Sequence, residues 1–279
     1  MAVNKKLKPI SGRLQDKIIV ITGGAGNIGV VTAQRCLLEG AKVVLIDLNE
    51  TQLNVAKTTL SAGCKSSIES PQERILAIKA DVTDELQMEN ALKQSVATFG
   101  GLDTCFLNAG ISYQATPLLD TSVELFDRCM NVNTKSGTLE DLHAEAFIGL
   151  KHAGRIMRDS GSGQGSIILA SSAAGLIARP GMTAYGCSKQ ALRSLAMYGA
   201  AELGQYGIRV NTVHPCGVNS PMFLDCWPEH KIKEMLAALP LGRLAEADDI
   251  AAMVTFLASD DAQFLTGGTF KVDGGQANY

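Results

Sequence analysis

The sequence predicts an α/β fold, in which seven parallel strands form a doubly wound sheet with helices on both faces. Short apolar runs alternate with longer stretches of helical periodicity from residue 17 almost to the end of the 279-residue chain, a pattern typical of alternating strands and helices. Several runs are apolar at consecutive positions, as in strands that helices cover on both faces. Because no linker or shift in composition divides residues 1–279, we expect a single domain.

The predicted strands are the short apolar runs. In chain order they are Lys17–Thr22, Lys42–Asp47, Ile75–Lys79, Leu102–Asn108, Gly165–Ser171, Ile208–Val213 and Gly268–Val272. The predicted helices are the stretches between them, and Asp84 and Asp248 mark acidic starts of two of these helices. In chain order they are Asn27–Glu39, Glu50–Ser61, Asp84–Phe99, Val123–Ser160, Thr183–Tyr206 and Ala247–Ala258.

The composition argues against several classes of function. Lys and Arg number 25 against 28 Asp and Glu, so the net charge of −3 provides no bulk positive field for nucleic acid or for an anionic membrane surface. No apolar run approaches the roughly 18 residues needed to cross a bilayer. Residues 1–13 include basic residues with no apolar stretch behind them, so we expect a solvated lead-in and, by default, a cytoplasmic protein.

Cysteine and histidine patterns argue against a metal site. The seven Cys residues include no C-x-x-C pair, and the four His residues form neither H-x-x-x-H nor H-E-x-x-H. An odd and scattered set of Cys residues also argues against a disulfide framework. We therefore expect reduced thiols and no catalytic metal.

A glycine-rich turn, T-G-G-A-G-N-I-G at residues 22–29, follows the first predicted strand and precedes a predicted helix. Glycines there let the backbone turn sharply and approach a pyrophosphate, whose charge lies on the free N–H groups of the helix N-terminus. A P-loop is excluded because Val30 and Val31 stand where Lys and Ser or Thr are required. The residues assigned to a Rossmann-type dinucleotide site are Gly23, Gly26, Asn27, Ile28 and Gly29.

Asp47 closes the second predicted strand, 18 residues after Gly29. A carboxylate at this position accepts hydrogen bonds from both adenosine ribose hydroxyls and repels a 2′-phosphate. No Lys or Arg in the glycine turn or in the three residues after Asp47 offsets this repulsion, so the sequence favours NAD over NADP. The alternative is a solvent-facing Asp at a strand end. Asp81 and Val82, after the third strand, are candidates to line the adenine.

Tyr185 and Lys189 lie four residues apart near the start of a predicted helix, which places them on one face. An ammonium beside a phenol stabilises the phenolate and lowers the pKa of Tyr185 from about 10 toward neutrality. Such a phenol suits acid–base chemistry at an alcohol or ketone oxygen. Because this spacing also arises by chance, its meaning depends on the other motifs.

These two motifs and three others occur in the order found in the short-chain dehydrogenase/reductase family, which the chain resembles over nearly all of residues 14–275, in its compact single-domain form. The other three are Asn108-Ala109-Gly110 after the fourth strand, Ser172, and the stretch from Pro215 to Ser220. The resemblance implies hydride transfer between NAD and a secondary alcohol or ketone.

The resemblance also implies a role for each motif. Tyr185 would move the proton, Lys189 would also bind the nicotinamide ribose, and Ser172 would bind the substrate oxygen. Asn133 would order a water that relays protons to the lysine. For Asn108 we favour a structural role that ties neighbouring strands together. The family resemblance also implies that six further residues contact the cofactor: Asn108, Ala109, Gly110, Pro215, Val218 and Ser220.

The chain departs from the family pattern in its cofactor motifs. Asn27 stands where the compact branch has its second motif glycine, and Gly26 fits the spacing of the two-domain branch. Since Asn tolerates left-handed backbone angles, we still expect the turn to form. Cys216 replaces the glycine after Pro215, and we interpret it as a wall of the cofactor pocket, with a redox-active thiol as the alternative.

Residues 137–145 are an apparent insertion in the long helix predicted from Val123. Nine residues at about 100° each rotate a helix through roughly two and a half turns, so an unbroken helix would reverse its apolar face. We therefore expect the insertion to leave the helix axis as a surface excursion. Asn133 should stay at the cleft, and Phe147–Met157 should keep facing the core.

Residues 217–240 occupy the position of the family's substrate lid. Its apolar residues favour an apolar substrate if they line a pocket and not the core; they are Met222, Phe223, Leu224, Trp227, Met235 and Leu236. The resemblance implies a cyclic alcohol or ketone of terpenoid, steroid or related type, a place in secondary metabolism, and a homodimer or homotetramer. The alternative, motivated by the insertion, is a cofactor-bound protein without redox turnover: an isomerase, a cyclase or an inactive scaffold.

Overall fold

The computed structural model describes residues 12–134 and 145–277, which form one parallel sheet flanked by helices. The strands are β1 (Ile18–Thr22), β2 (Lys42–Asp47), β3 (Ile75–Lys79), β4 (Thr104–Leu107), β5 (Gly165–Ala170), β6 (Ile208–Pro215) and β7 (Thr269–Val272). The helices are α1 (Asn27–Leu38), α2 (Glu50–Cys64), α3 (Glu85–Phe99), α4 (Val123–Asn133), α5 (Glu145–Asp159), α6 (Thr183–Leu203), α7 (Pro221–Leu224), α8 (Glu229–Ala237) and α9 (Ala247–Ala258). None of these helices is both long enough and apolar enough to cross a membrane.

The strand order places the turning point of the sheet between β1 and β4. Neighbouring strands pair in the order β3-β2-β1-β4-β5-β6-β7, and every pair is parallel. The chain winds from β1 toward one edge and from β4 toward the other, which opens a crevice at the carboxyl ends of these two strands. The predicted doubly wound sheet of seven strands is confirmed.

Both faces of the sheet are buried, because successive strand residues point to opposite sides. On one face Ile19 and Ile21 of β1 pack with buried residues of α1, α2 and α9. On the other face Val20 packs with buried residues of α3, α5 and α6. Each buried side chain of this size contributes roughly 1.5–3 kcal/mol to folding. This two-sided burial explains the consecutive apolar residues of the strands.

The prediction of one helix over Val123–Ser160 is wrong. Helix α4 ends at Asn133, because Thr134 leaves helical geometry with φ −139° and ψ −56°. The Thr134 hydroxyl donates a hydrogen bond to the carbonyl oxygen of Ser188 in α6, at 2.7 Å. Helix α5 begins at Glu145. Residues 137–144 of the apparent insertion lie outside the described residues, so its course as a surface excursion stays a prediction.

Helix α5 packs on the sheet much as the sequence predicts for Phe147–Met157. Ile148, Leu150, Ala153 and Met157 are buried in the same core as Val20. Phe147 itself differs from the expectation, since 51% of its surface is exposed. The apolar face of α5 is therefore in register with the core, in keeping with the expected interruption of the helix predicted from Val123.

Residues 217–240 contain two short helices, α7 and α8, which the sequence analysis does not predict. Neither helix contains a buried residue, as expected of a segment that lies over a cleft and not in the core. The base of this segment is fixed, because Val218 forms a parallel bridge with Ala245. The Asn219 N–H also donates to the Ala245 carbonyl oxygen at 2.8 Å.

Candidate functional site

The turn after β1 brings backbone against backbone at distances that require glycine. Gly23 has a φ of +60°, in the left-handed region that favours glycine. A Cβ added to Gly29 would collide with the carbonyl oxygen of Gly23. The Gly26 N–H closes the turn by donating to the same carbonyl at 3.0 Å. Glycine at these positions lets α1 begin directly beyond the end of β1.

The N-terminus of α1 has no cap of its own. Its N-cap residue, Gly26, has no side chain to accept a hydrogen bond, and the first helical turn contains no acidic residue. Gly26 and Asn27 are exposed, while Ile28 and Gly29 complete the turn beneath them. Uncapped N–H groups and the positive end of the helix dipole attract a phosphate. These residues therefore fit the pyrophosphate of a dinucleotide.

Asn27 does not use the left-handed conformation that its replacement of a glycine suggested. It is the first residue of α1, and its φ is not positive. Its side-chain Nδ2 donates to the carbonyl oxygen of Asn219 at 3.3 Å. The asparagine thus links the glycine turn to the segment that follows β6, a contact that glycine does not make.

Two carboxylates lie at neighbouring strand ends on this side of the cleft. The Asp47 carboxylate, at the end of β2, accepts a hydrogen bond from the Ala25 N–H of the glycine turn at 3.2 Å. Asp81, after β3, accepts from the N–H of Thr83 at 2.9 Å and from its hydroxyl at 2.6 Å. Val82 is buried. Asp47 is partly exposed beside the turn and is therefore within reach of a molecule bound there.

Thr22 ties the carboxyl end of β1 to that of β4. Its hydroxyl oxygen accepts hydrogen bonds from the N–H groups of Asn108 at 2.8 Å and Ala109 at 3.1 Å. The Asn108 side chain donates to the Thr22 carbonyl oxygen at 3.0 Å. This geometry favours the structural interpretation of Asn108. A Cβ on the next residue, Gly110, would lie only 3.2 Å from Nζ of Lys189.

Tyr185, Ser172 and Lys189 converge on one cavity. The Ser172 hydroxyl lies near enough to the Tyr185 phenol to lower its pKa. Nζ of Lys189 lies 5.6 Å from the centroid of the Tyr185 ring and donates to the carbonyl oxygen of Ala170 at 2.9 Å. The spacing of four residues thus places the ammonium near the ring of the tyrosine, as the helical pattern predicts.

The electrostatic effect on Tyr185 differs from the prediction. Burial raises the pKa of Tyr185 to about 12, and the nearby Ser172 hydroxyl opposes this rise. The cost of removing the phenolate from water is the largest effect on this pKa, so the expected lowering toward neutrality does not occur. The phenol is therefore protonated at neutral pH, in the state that can donate a proton.

Asn133, the last residue of α4, is only 1% exposed and joins three parts of the site. Its Oδ1 accepts from the Ile111 N–H at 2.8 Å, and its Nδ2 donates to the Ile111 carbonyl oxygen and to the Ser188 hydroxyl, both at 3.0 Å. A Cβ on Gly110 would lie 3.0 Å from Asn133 Oδ1. Asn133 thus lies at the cleft, on the Lys189 side, as expected.

Two residues to which the sequence analysis gives no role support this arrangement. His214 places Nδ1 3.0 Å from the carbonyl oxygen of Ser172 and Nε2 2.8 Å from the Thr212 hydroxyl. The Tyr113 hydroxyl accepts from the Ala184 N–H at 3.1 Å, at the start of α6. Neither Tyr113 nor His214 belongs to a recognised motif. Tyr113 is 71 residues from Ala184 in the sequence, and His214 is 42 residues from Ser172. No local pattern in the sequence could have identified them.

The cavity has a volume of about 160 Å³ and is covered by residues 217–240. It is lined by nine predicted site residues: Ile28, Asn108, Gly110, Ser172, Tyr185, Lys189, Pro215, Val218 and Ser220. The other predicted site residues do not line it; they are Gly23, Gly26, Asn27, Gly29, Asp47, Asp81, Val82, Ala109 and Asn133. The predicted residues therefore divide into a cavity set and a second set that lies behind it or nearer the glycine turn, with Asn133 behind the cavity on the Lys189 side.

Four of the six apolar lid residues line the cavity: Met222, Phe223, Trp227 and Met235. Leu224 and Leu236 do not, so the expectation of an apolar inner face holds for part of the lid. Further lining residues come from segments without a motif; they include Ile111, Ser112, Arg179, Met182, Cys226 and Gln276.

Cys216 lines the same cavity beside Pro215. Burial raises the pKa of its thiol, and the charge of Asp273 raises it further. A thiol that resists ionisation is a poor nucleophile, so the geometry favours Cys216 as a wall and not as a redox centre. All seven cysteines are free, in agreement with the expected reduced thiols.

The chain is similar to known proteins over nearly its whole length. A family model described as enoyl-(acyl carrier protein) reductase matches residues 23–277. The chain is 37% identical over 268 residues to short-chain dehydrogenase reductase 5 of Arabidopsis thaliana, covering 94% of this chain and 95% of that protein. It is 35% identical over 266 residues to the 2,5-dichloro-2,5-cyclohexadiene-1,4-diol dehydrogenase of Sphingobium indicum. This match covers 95% of this chain and 98% of that protein.

Solved structures agree with this similarity. Levodione reductase of Leifsonia aquatica is 31% identical over 272 residues, which cover 95% of this chain and 96% of that protein. A crystal structure of levodione reductase has a TM-score of 0.84 at 31% identity and covers 95% of this chain and 99% of its own. The crystal structure of a short-chain type dehydrogenase/reductase from Mycobacterium marinum has a TM-score of 0.83 at 29% identity. This match covers 95% of this chain and 97% of that protein.

The buried His214 predicts that acid destabilises the fold. Burial lowers the pKa of His214 from 6.5 to about 4, so the unfolded chain binds a proton before the folded chain does as the pH falls. The free energy of unfolding should therefore be highest above pH 6.5 and should fall between pH 6.5 and pH 4. The contribution of His214 to this fall is up to about 3 kcal/mol. Urea unfolding between pH 7 and pH 4.5 measures the loss.

The variant His214→Gln keeps a hydrogen-bonding side chain but cannot titrate in this range. Its unfolding free energy should fall less on acidification than that of the wild type. His230→Gln, at an exposed position of α8, is the matched control and should follow the wild type. Equal pH dependence in His214→Gln and the wild type would contradict the assignment.

Proposed function

Because the chain belongs to the short-chain dehydrogenase/reductase family, a family of oxidoreductases, we propose that it is an NAD(H)-dependent enzyme that interconverts a secondary alcohol and a ketone. The observation that carries the proposal is the convergence of Ser172, Tyr185 and Lys189 on one cavity next to a glycine turn. This arrangement supports acid–base chemistry at a substrate oxygen beside a bound dinucleotide.

In the proposed reaction Ser172 and Tyr185 bind the substrate oxygen. The bound nicotinamide supplies hydride to the carbonyl carbon in reduction and accepts it in oxidation. Tyr185 gives its phenolic proton to the oxygen in reduction and takes the hydroxyl proton in oxidation. The raised pKa of Tyr185 supports the reductive role, because the phenol then holds the proton at neutral pH.

We assign Lys189 two roles, binding the nicotinamide ribose and returning protons to Tyr185. Its ammonium faces Gly110 together with Asn133 Oδ1, which supports a water held between Asn133 and Lys189 as the route for those protons. Asn133 is then a positioning residue, because it acts through this water and through the Ile111 segment. Catalysis is assigned to Ser172, Tyr185 and Lys189, and Asn133 completes the predicted set of four in its positioning role.

The remaining predicted residues are assigned to the dinucleotide. The glycine turn binds the pyrophosphate, Asp47 the adenosine ribose, and Asp81 with Val82 the adenine. The segment Asn108–Gly110 forms the floor between these sites. Pro215, Val218 and Ser220 contact the nicotinamide, and their place in the cavity lining supports this assignment.

We propose an apolar, cyclic substrate. Methionine and aromatic residues of the lid line the cavity, which favours an apolar body around the reacting carbon. Two relatives carry names that refer to six-membered or related ring compounds, levodione reductase and a cyclohexadiene-diol dehydrogenase. Secondary metabolism is the proposed setting.

The assembly proposed for this single-domain chain is a homodimer or a homotetramer. Val123 of α4 is 70% exposed and Phe147 of α5 is 51% exposed, and exposed apolar side chains on these two helices support contact with a second copy. The cytoplasm is the proposed location, since seven free thiols suit a reducing compartment.

A non-redox protein on the same fold is the second candidate from the sequence, motivated by the apparent insertion. Residues 137–144 of that insertion lie outside the described part of the chain, so the insertion provides no structural support for this candidate. The joint placement of Asn133, Ser172, Tyr185 and Lys189 favours turnover, because an inactive scaffold needs none of these contacts. We therefore retain the oxidoreductase as the proposal.

The carboxylate of Asp47 predicts a preference for NAD(H). The wild type should bind NADH at least tenfold more tightly than NADPH, a difference of about 1.4 kcal/mol, because Asp47 repels the 2′-phosphate. Asp47→Asn keeps an oxygen for the Ala25 N–H and removes the charge, so it should narrow this ratio. Calorimetric titration with both cofactors measures it, and Asp127→Asn, at an exposed position of α4, is the control. Equal affinities in the wild type would refute the assignment.

Removal of the phenolic hydroxyl should abolish most turnover. Tyr185→Phe deletes the transferable proton and keeps the ring, so kcat should fall at least about a hundredfold while the Kd for NADH changes less than about twofold. Tyr198→Phe makes the same change on an exposed face of α6 and should keep wild-type rates. Nicotinamide absorbance with a panel of cyclic ketones measures turnover, and near-wild-type rates in Tyr185→Phe would rule out the acid–base role.

The raised pKa of Tyr185 predicts opposite pH dependences for the two directions. Reduction requires the protonated phenol, so kcat/KM should stay constant from about pH 6 to pH 9. Oxidation requires the phenolate, so its kcat/KM should rise with pH, by up to about tenfold per unit. Initial rates in both directions measure this difference. An oxidation rate that falls above pH 7 would contradict the assignment to Tyr185.

A further inference from the structure

We propose that Arg179 determines substrate specificity by binding a carboxylate on the substrate, at a distance from the reacting carbon. This inference rests on the proposed function, because Arg179 lines the same cavity as Tyr185 and Ser172. The proposed substrate then carries a carboxylate in addition to the apolar body that the lid residues favour.

Both of the charged residues that line the cavity in the described part of the chain are cations. Arg179 and Lys189 are the two charged residues among its described lining residues, and neither Asp nor Glu is among them. The charge of Arg179 reaches the Cys216 wall of the cavity, where it lowers the pKa of the thiol, while burial and the charge of Asp273 behind that wall raise it. A cavity with two cations and no carboxylate favours an anionic ligand.

The two cations differ in how they are engaged. Nζ of Lys189 donates to the Ala170 carbonyl oxygen and lies by the Tyr185 ring. The guanidinium of Arg179 forms no ion pair with a carboxylate in residues 12–134 and 145–277. Since it has no carboxylate partner there, this guanidinium is the group available to pair with a ligand carboxylate.

The backbone holds Arg179 in place. The Arg179 carbonyl oxygen accepts from the Met182 N–H at 3.0 Å, just before α6. Gly181, with φ of +83°, accepts from the Thr116 N–H at 2.9 Å. A loop whose backbone is fixed at and after Arg179 loses less backbone entropy when a ligand binds. Its planar fork also matches the two oxygens of a carboxylate.

The substrate class follows from these contacts. Its alcohol or ketone oxygen lies at Tyr185 and Ser172, its ring packs on Met222, Phe223 and other apolar lid residues, and its carboxylate pairs with Arg179. We thus expect a cyclic hydroxy acid or keto acid. A neutral terpenoid or steroid alcohol would leave the guanidinium unpaired.

A binding experiment tests the carboxylate site without turnover. Calorimetric titration compares cyclohexanecarboxylate with the neutral isostere cyclohexanecarboxamide. The wild type should bind the carboxylate at least about tenfold more tightly, and added salt should weaken that preference. R179Q should lose it, and R179K should keep part of it. R155Q, an exposed arginine of α5 that does not line the cavity, is the control and should retain it.

Equal affinities for carboxylate and amide in the wild type, or an undiminished preference in R179Q, would overturn the proposal. A second measurement separates this outcome from failure of the proposed function. NADH oxidation is followed with 4-oxocyclohexanecarboxylate and with cyclohexanone, and the keto acid should give a kcat/KM at least about tenfold higher. If neither ketone is reduced while the Arg179-dependent binding is present, the redox proposal fails and the carboxylate site stands.

Discussion

The candidate site depends on how one turn of α6 is held against the carboxyl end of β5. The Ser171 hydroxyl donates to the Lys189 carbonyl oxygen at 2.7 Å, and Nζ of Lys189 donates back to Ala170 at 2.9 Å. From α4, Asn133 donates to the Ser188 hydroxyl, and Thr134 donates to the carbonyl oxygen of the same residue. These side chains are buried, so each hydrogen bond is costly to lose. The positions of Lys189 and of Tyr185, one turn earlier, follow from this network.

The same burial determines the protonation of the site. Burial lowers the pKa of His214 and raises the pKa of Tyr185. Both groups are neutral near pH 7 for this reason. A neutral His214 can hold the Ser172 backbone without adding a second positive charge beside Lys189. The stability of the fold and the proposed acid–base chemistry are thus linked through one desolvated region.

The two sides of the cleft recognise ligands by different means. Around the glycine turn the contacts available are backbone N–H groups and the Asp47 carboxylate, which suit the constant parts of a dinucleotide. In the cavity they are side chains of the lid and of the loop before α6, with Arg179 among them. Side chains on loops can vary without disturbing the sheet. The proposed substrate preference therefore resides in the cavity, while the proposed cofactor preference resides in the turn.

The sequence by itself determined the fold class, the sheet and the glycine turn, because these depend on local periodicity and on backbone conformation. The predicted bounds of β2, β3 and α9 agree with the structure, since apolar runs and acidic starts are local signals. The motif residues were also found from sequence, by spacing or by family resemblance. The sequence predicted that the helix from Val123 is interrupted, and tertiary structure decided that α4 ends at Asn133, where Thr134 bonds to α6. Tertiary structure alone brought Tyr113 and Arg179 to the site, because their neighbours there come from segments distant in the chain, and long-range packing leaves no periodic trace in a sequence.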